Sequence, residues 1–114
     1  MLSREEILGK DDLKKIEVEV PVWGDTVTLQ ELNAEAAVEL HEEMKRMKDD
    51  EDQRGIRELA IVVCAIGEDG ERLFTRDDIA LLKKKSNEAI NLLGDAAWDL
   101  IGLGEDEEKE AVEN

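Results

Sequence analysis

The sequence predicts a mainly helical α+β domain, in which an N-terminal β-hairpin precedes a bundle of about four helices and an acidic, disordered C-terminal tail. Three observations predict this fold: apolar and acidic residues alternate early in the chain, apolar residues then recur at helical spacing, and the last residues are mostly acids. The length of 114 residues fits one domain. We expect an arm at 1–14, a compact domain at 15–103 and the tail at 104–114.

The hairpin is predicted over residues 16–30. Residues 16–22 alternate between β-branched and acidic side chains, which is typical of a half-buried strand. Pro21 has no N–H to donate, so the strand should lie at a sheet edge or end there. A turn follows at Trp23–Asp25, and the alternation then resumes. The charged arm before the hairpin should be a short helix or a docking segment.

The first bundle helix is predicted over residues 34–48. Asn33 is a favourable N-cap, because its side-chain oxygen can accept a free N–H of the first turn. Four apolar residues follow at steps of three and four and form one stripe on this helix: Ala37, Leu40, Met44 and Met47.

The second helix is predicted over residues 53–66. The segment Leu59–Ile66 is apolar on every side, so it could also be a buried strand. Helical spacing that continues from Arg54 favours a central buried helix, which Gly67 would cap at its C-terminus.

Two further helices are predicted at 76–85 and 87–102. Thr75 is the expected N-cap of the third helix, and acids follow in its first turn, where the helix dipole favours them. Ser86 should begin the fourth helix, which Gly102 or Gly104 should end.

The charge excludes several classes of partner. The chain has 31 acids against 15 lysines and arginines and a formal net charge of −16. Nucleic-acid affinity comes mostly from basic residues, so DNA or RNA binding is disfavoured, as is adsorption to an anionic membrane. The apolar runs are too short for a membrane span, and the N-terminus has no apolar signal region. We therefore expect a cytoplasmic protein.

Known catalytic and metal motifs are incomplete, so no enzyme activity, cofactor or metal is expected. His41-Glu42 begins like a zinc-protease helix, but Lys45 stands where the second histidine is needed. Residues 50–61 resemble a calcium loop, but Arg54 and Ile61 occupy ligand positions. Cys64 is the only cysteine, so it cannot form an intrachain disulfide, and it lies in an apolar run that would not activate a thiolate.

A protein-binding surface remains as the candidate site. Trp98 is expected in the core, whereas Trp23 could equally be a core or a contact residue, because it adjoins a turn. The methionine pair is more typical of a core and would bind a partner only on an exposed face. The candidates lie on the hairpin and the first bundle helix: Val18, Val20, Val22, Trp23, Met44 and Met47.

The order of these segments resembles the tail assembly chaperones of long, non-contractile, lambda-like tailed phages. The resemblance covers about residues 2–103, and Val22 departs from it, because such proteins often have an acid between the proline and the tryptophan. The segments that carry it are Ser3–Leu8, Asp12-Leu13, Val18–Gly24, Asp69-Gly70, Leu73–Thr75, Asp77-Asp78 and Leu81–Ser86.

The resemblance implies a non-enzymatic role in virion assembly. Such chaperones bind the tape measure protein in the host cytoplasm, keep it soluble and assist tail tube polymerisation, and they are absent from the mature virion. Many are made in two lengths by programmed ribosomal frameshifting, and the longer form contacts the tail tube protein. The present chain would be the short form.

Two other interpretations stay open. The net charge of −16 would also suit an acidic mimic that inhibits a nucleic-acid-binding protein. Alternatively, the hairpin edge could pair with a second copy and make the protein a homo-oligomeric scaffold, which is compatible with the chaperone role.

Overall fold

The chain folds as a small antiparallel sheet packed against helices. The computed structural model describes residues 1–47 and 55–113, with side chains through residue 102. The elements, in chain order, are α1 (Arg4–Leu8), β1 (Lys15–Val20), a 3-10 turn (Pro21–Trp23), β2 (Asp25–Gln30), α2 (Ala34–Lys45), α3 (Ile56–Cys64), β3 (Ala65–Ile66), a second 3-10 turn (Arg76–Asp78), α4 (Ile79–Leu82) and α5 (Asn87–Glu113).

The predicted hairpin is confirmed. Strands β1 and β2 pair antiparallel, with Ile16 opposite Leu29 and Val18 opposite Val27. The strand ends where Pro21 begins the 3-10 turn, and Gly24 closes that turn at a φ of 77°, which an L side chain rarely adopts. Strand β1 lies at an edge of the three-stranded sheet, whose order is β1-β2-β3.

The apolar segment at residues 59–66 is both a helix and a strand. Helix α3 ends at Cys64, and the next two residues form β3, which pairs with β2 and places Ala65 opposite Leu29. The prediction of a helix through residue 66 is therefore wrong at its end, because pairing with a distant strand outweighs helical continuity. Gly67 is not the helix cap: its N–H donates to the Glu71 carbonyl at 2.9 Å and closes a turn. The predicted start at residue 53 lies outside the described residues.

The helix caps follow the sequence closely. The Asn33 side chain accepts a hydrogen bond from the Ala36 N–H at 2.8 Å, as predicted. The Asp78 carboxylate accepts from the Thr75 N–H at 2.9 Å. The arm contains one helical turn, α1, which Ser3 and Glu6 cap reciprocally.

The third bundle helix is shorter than predicted, and the last is longer. Residues 76–82 form a 3-10 turn followed by one turn of α-helix, and the N–H groups of Lys84 and Lys85 then make tight i−3 bonds before Ser86 starts α5. Helix α5 continues past Gly102 and Gly104, because an interior glycine costs only about 1 kcal/mol. The α5 backbone therefore extends through most of the segment predicted as a disordered tail at 104–114, whose side chains are not described.

The core lies between α3 and α5, and the sheet covers one side of it. Gly94 of α5 permits the close approach of these helices, because a Cβ there would lie 3.3 Å from the Arg57 Cβ. Trp98 is partly buried against the core, as expected. The largest fully buried apolar side chains are Leu29, Leu59, Ile61, Ile90, Leu93, Val20 and Val62.

Candidate protein-binding surface

An open groove of about 680 Å³ lies between the Pro21–Trp23 turn and the first half of α5. We call it the turn–helix groove. Pro21 and Val22 line its turn side, and the buried residues Val20 and Ala89 also contribute to its lining. Its helix side is formed mainly by Glu88, Asn91, Leu92 and Asp95.

The sequence builds the two sides of the groove in different ways. On the turn side, the proline ring fixes its own φ, and the left-handed Gly24 reverses the chain, so that Val22 remains 53% exposed. On the helix side, residues three and four positions apart share one face of α5, which aligns Glu88, Leu92 and Asp95 along the groove.

The structure separates the six predicted contact residues. Val22 and Trp23 are exposed, at 53% and 40%, and are available to a partner. Val20 is only 1% exposed and belongs to the core. The other three, Val18, Met44 and Met47, are partly buried against the core. The hairpin candidates Val20 and Val22 meet at the groove, whereas neither methionine lines it.

Leu92 was not among the predicted contact residues, although it is 39% exposed and lines the groove. A signal for it was present. The core stripe of α5 uses Ile90, Leu93 and Ala97, so Leu92 is an apolar residue that falls off the buried face. Single exposed leucines are common, and only the fold brings this one opposite Val22.

The groove carries negative charge at both ends of its apolar centre. Glu88 and Asp95 are exposed, and neither takes part in an ion pair among the described residues. A cation does lie near the helix side: the Arg57 guanidinium donates hydrogen bonds to the side chains of Asn87 and Asn91. The side-chain oxygens of both asparagines therefore accept from Arg57, and Glu88 and Asp95 are the two carboxylates that line the groove.

A second, polar feature lies at α2. The Arg76 guanidinium donates to the Glu43 carboxylate through Nη2 at 2.7 Å and through Nε at 2.9 Å. This hydrogen bonding, with the positive charge of Arg76, lowers the pKa of Glu43 against a smaller opposing effect of burial. The pair borders a depression of about 440 Å³ that includes the exposed Val38. Its evident role is to tie α2 to the turn before α4.

Two other potentially reactive side chains among the described residues are Cys64 and His41. Burial raises the pKa of the Cys64 thiol to about 12, so the thiol stays protonated and unreactive at neutral pH. His41 is exposed on α2. Within residues 1–47 and 55–102, no group of His, Cys, Asp and Glu side chains is arranged to hold a metal ion. None of the described helices combines the length and apolar character that a membrane crossing requires.

No protein-family model and no curated protein sequence matches the chain. A solved structure does match it: that of the tail assembly chaperone of bacteriophage HK97, with a TM-score of 0.56 and 20% sequence identity. The alignment covers 84% of this chain and 90% of that one. The chain therefore has the fold of a phage tail assembly chaperone.

Proposed function

We propose that this protein is a tail assembly chaperone that binds the tape measure protein of a long-tailed phage. It keeps this client dispersed in the host cytoplasm and assists polymerisation of the tail tube around it. The observation that carries the proposal is the fold shared with the HK97 chaperone over 84% of the chain. The ordered sequence segments that resemble this family support it independently.

The surface suits a chaperone that works by binding. A client that exposes apolar surface needs an apolar contact. Val22 and Leu92 supply one in the turn–helix groove, and Trp23 is exposed in the same turn as Val22. The complex must also resist association with other complexes, and a net charge of −16 supplies that repulsion.

Weak individual contacts are sufficient for this function. A tape measure protein is long, so many copies of the chaperone can bind along one client. Contacts that are linked through one chain strengthen one another through effective concentration. The same assembly could recruit tail tube protein, with a longer frameshifted product as the linking form, or include contacts between chaperone copies.

Co-expression with the tape measure protein of the same genome tests the proposal. We expect the soluble fraction of the tape measure protein to rise and the two proteins to co-purify. An unrelated acidic protein of similar size and net charge is the matched control, and it should have no such effect. An unchanged soluble yield without co-purification would overturn the proposal.

Salt distinguishes this role from that of an acidic nucleic-acid mimic. A mimic binds through charge, so its affinity should fall steeply as salt rises. Binding that rests on apolar contact should persist in high salt. Complete loss of the tape measure complex in high salt would therefore favour the mimic and count against the chaperone.

A further inference from the structure

We infer that the turn–helix groove holds one basic amphipathic helix of a partner protein. Its apolar residues lie against Val22 and Leu92, and lysines or arginines seven positions apart pair with Glu88 and Asp95. This inference rests on the proposed function, because it identifies the part of the client that the chaperone recognises. Three features of the groove support it: the apolar centre, the spacing of the two carboxylates and the 3-10 turn on one side.

The apolar centre provides the contact area. Leu92 stands on one side, 39% exposed, and Val22 on the other, 53% exposed, with Pro21 beside it. A volume of about 680 Å³ lies within the range of clefts that bind a ligand, and it is wide enough for several side chains. Apolar side chains of a partner would remove this surface from water, which stabilises the complex.

The two carboxylates favour a basic partner and set the spacing of its basic residues. Glu88 and Asp95 are seven residues apart on α5, which is two helical turns or about 10.5 Å along the axis. A second helix that lies along α5 presents its own residues i and i+7 at the same separation. Two cations at these positions therefore reach both carboxylates together, while the net charge of −16 repels an acidic partner.

The turn side of the groove favours a helix over an extended segment. An added strand must hydrogen-bond to a free sheet edge. The strand residue Val20 is buried at the base of the groove, and the other lining residues on this side, Pro21 and Val22, belong to a 3-10 turn whose first residue, Pro21, has no N–H to offer. A helix satisfies its own backbone and needs only side-chain contacts, so it fits a wall of this kind.

Peptide binding tests the inference directly. The probe is a fluorescein-labelled helical peptide with a leucine stripe and two lysines at i and i+7 on the flank of that stripe. A peptide of identical composition, with the second lysine moved to i+5 and so off that face, is its control. Fluorescence anisotropy against the full-length protein should give affinity about tenfold higher for the i+7 peptide, because only that peptide engages both carboxylates.

Two matched pairs of variants locate the binding site. Leu92→Ser should weaken binding of the i+7 peptide by about tenfold, whereas Leu81→Ser, at an exposed leucine on α4 outside the groove, should leave it unchanged. Glu88→Lys with Asp95→Lys should weaken it further. Glu17→Lys with Glu35→Lys makes the same change in net charge at exposed sites outside the groove and should have little effect. Circular dichroism confirms the fold of each variant.

The outcomes separate the groove from the wider function. If the i+7 peptide binds equally well to both members of each variant pair, the groove is not its binding site. Equal affinity of the wild type for the two peptides would also overturn the inference. An extended peptide that binds better than the helical one, or a self-association that Leu92→Ser abolishes, also overturns the inference in favour of another occupant.

If the groove variants solubilise the tape measure protein as well as the wild type does, the groove is not the client-binding site, and the chaperone role stands. If the wild type binds the i+7 peptide but never solubilises the client, the chaperone role fails.

Discussion

Helices α2 and α3 are consecutive among the described elements but are held in the molecule in different ways. All but two of the nine residues of α3 are buried, and they include the carboxyl side chain of Glu58. Helix α2 has twelve residues, of which only Leu40 is buried, with Met44 partly buried beside the core. The difference divides the protein into a packed centre and an attached helix.

This difference predicts that the two helices open at different free energies. Seven of the nine residues of α3 are buried, mainly against α5 and also against α4 and the sheet, so α3 should open only when the whole domain unfolds. Helix α2 depends on one apolar stripe and on the ion pair between Glu43 and Arg76. It can therefore detach at a lower free energy than the core, and the turn–helix groove, built on α5 and the hairpin, would survive that detachment.

The largest effect should come from Leu93→Ala in α5. Leu93 is fully buried, and its truncation leaves a cavity in the packed centre, which costs about 2–5 kcal/mol of unfolding free energy. Leu40→Ala removes the same atoms from α2. Its effect on the unfolding free energy of the domain cannot exceed the free energy that holds α2 against the core. Urea denaturation measures the first effect, and hydrogen exchange of the α2 amides measures the second. If both variants lose the same unfolding free energy and the α2 amides exchange only on complete unfolding, α2 is part of the packed centre and not a separately attached helix.

Much of the fold follows from local sequence signals. The alternation at residues 16–22, the proline at the end of β1 and the Asn33 cap each act within a few residues, so the hairpin and the start of α2 were predictable. The end of α3 was not. Ala65 and Ile66 leave the helix because they pair with β2, whose partner residues Thr28 and Leu29 lie far back in the chain.

The candidate site was less predictable than the fold. Of the hairpin candidates, the structure leaves Val22 and Trp23 exposed and buries Val20, because Pro21 ends the strand and begins a turn. The sequence pattern grouped Val18, Val20 and Val22 together and left Trp23 open between core and contact. It could not foresee that α5 would lie opposite them. Leu92 became part of a groove only through packing between segments about 70 residues apart, which no periodicity reports.

The second effect is a stabilisation, from Glu58→Leu in α3. The Glu58 side chain is 1% exposed; its Oε1 lies 3.5 Å from the Arg57 guanidinium, while its Oε2 has no hydrogen-bond partner among the described residues. Desolvating a carboxylate is costly, so a leucine of similar volume should raise the unfolding free energy by about 1–3 kcal/mol. Arg57 keeps its bonds to Asn87 and Asn91 in this variant. A fall in stability on urea denaturation would instead assign the carboxylate a structural role in the centre.

The smallest effect concerns the attachment of α2 and depends on pH. Arg76 lowers the pKa of Glu43 below its usual 4.5, so the pair stabilises the fold above that value, and the stabilisation is lost as pH falls through the lower folded pKa. The pair is partly exposed, so a double-mutant cycle with Glu43→Gln and Arg76→Met should give a coupling of only about 0.5–1 kcal/mol at neutral pH.

This coupling should appear mainly in hydrogen exchange of the α2 amides, because the pair ties α2 to the turn before α4 and not to the core. It should shrink in acid, once Glu43 is protonated in both states, and in high salt, which screens a partly exposed pair. A matched cycle at the exposed ion pair between Asp11 and Lys15, 3.9 Å apart and outside α2, should leave α2 exchange unchanged. A Glu43–Arg76 coupling that keeps its full size in acid would mean that packing, and not charge, holds α2 against the domain.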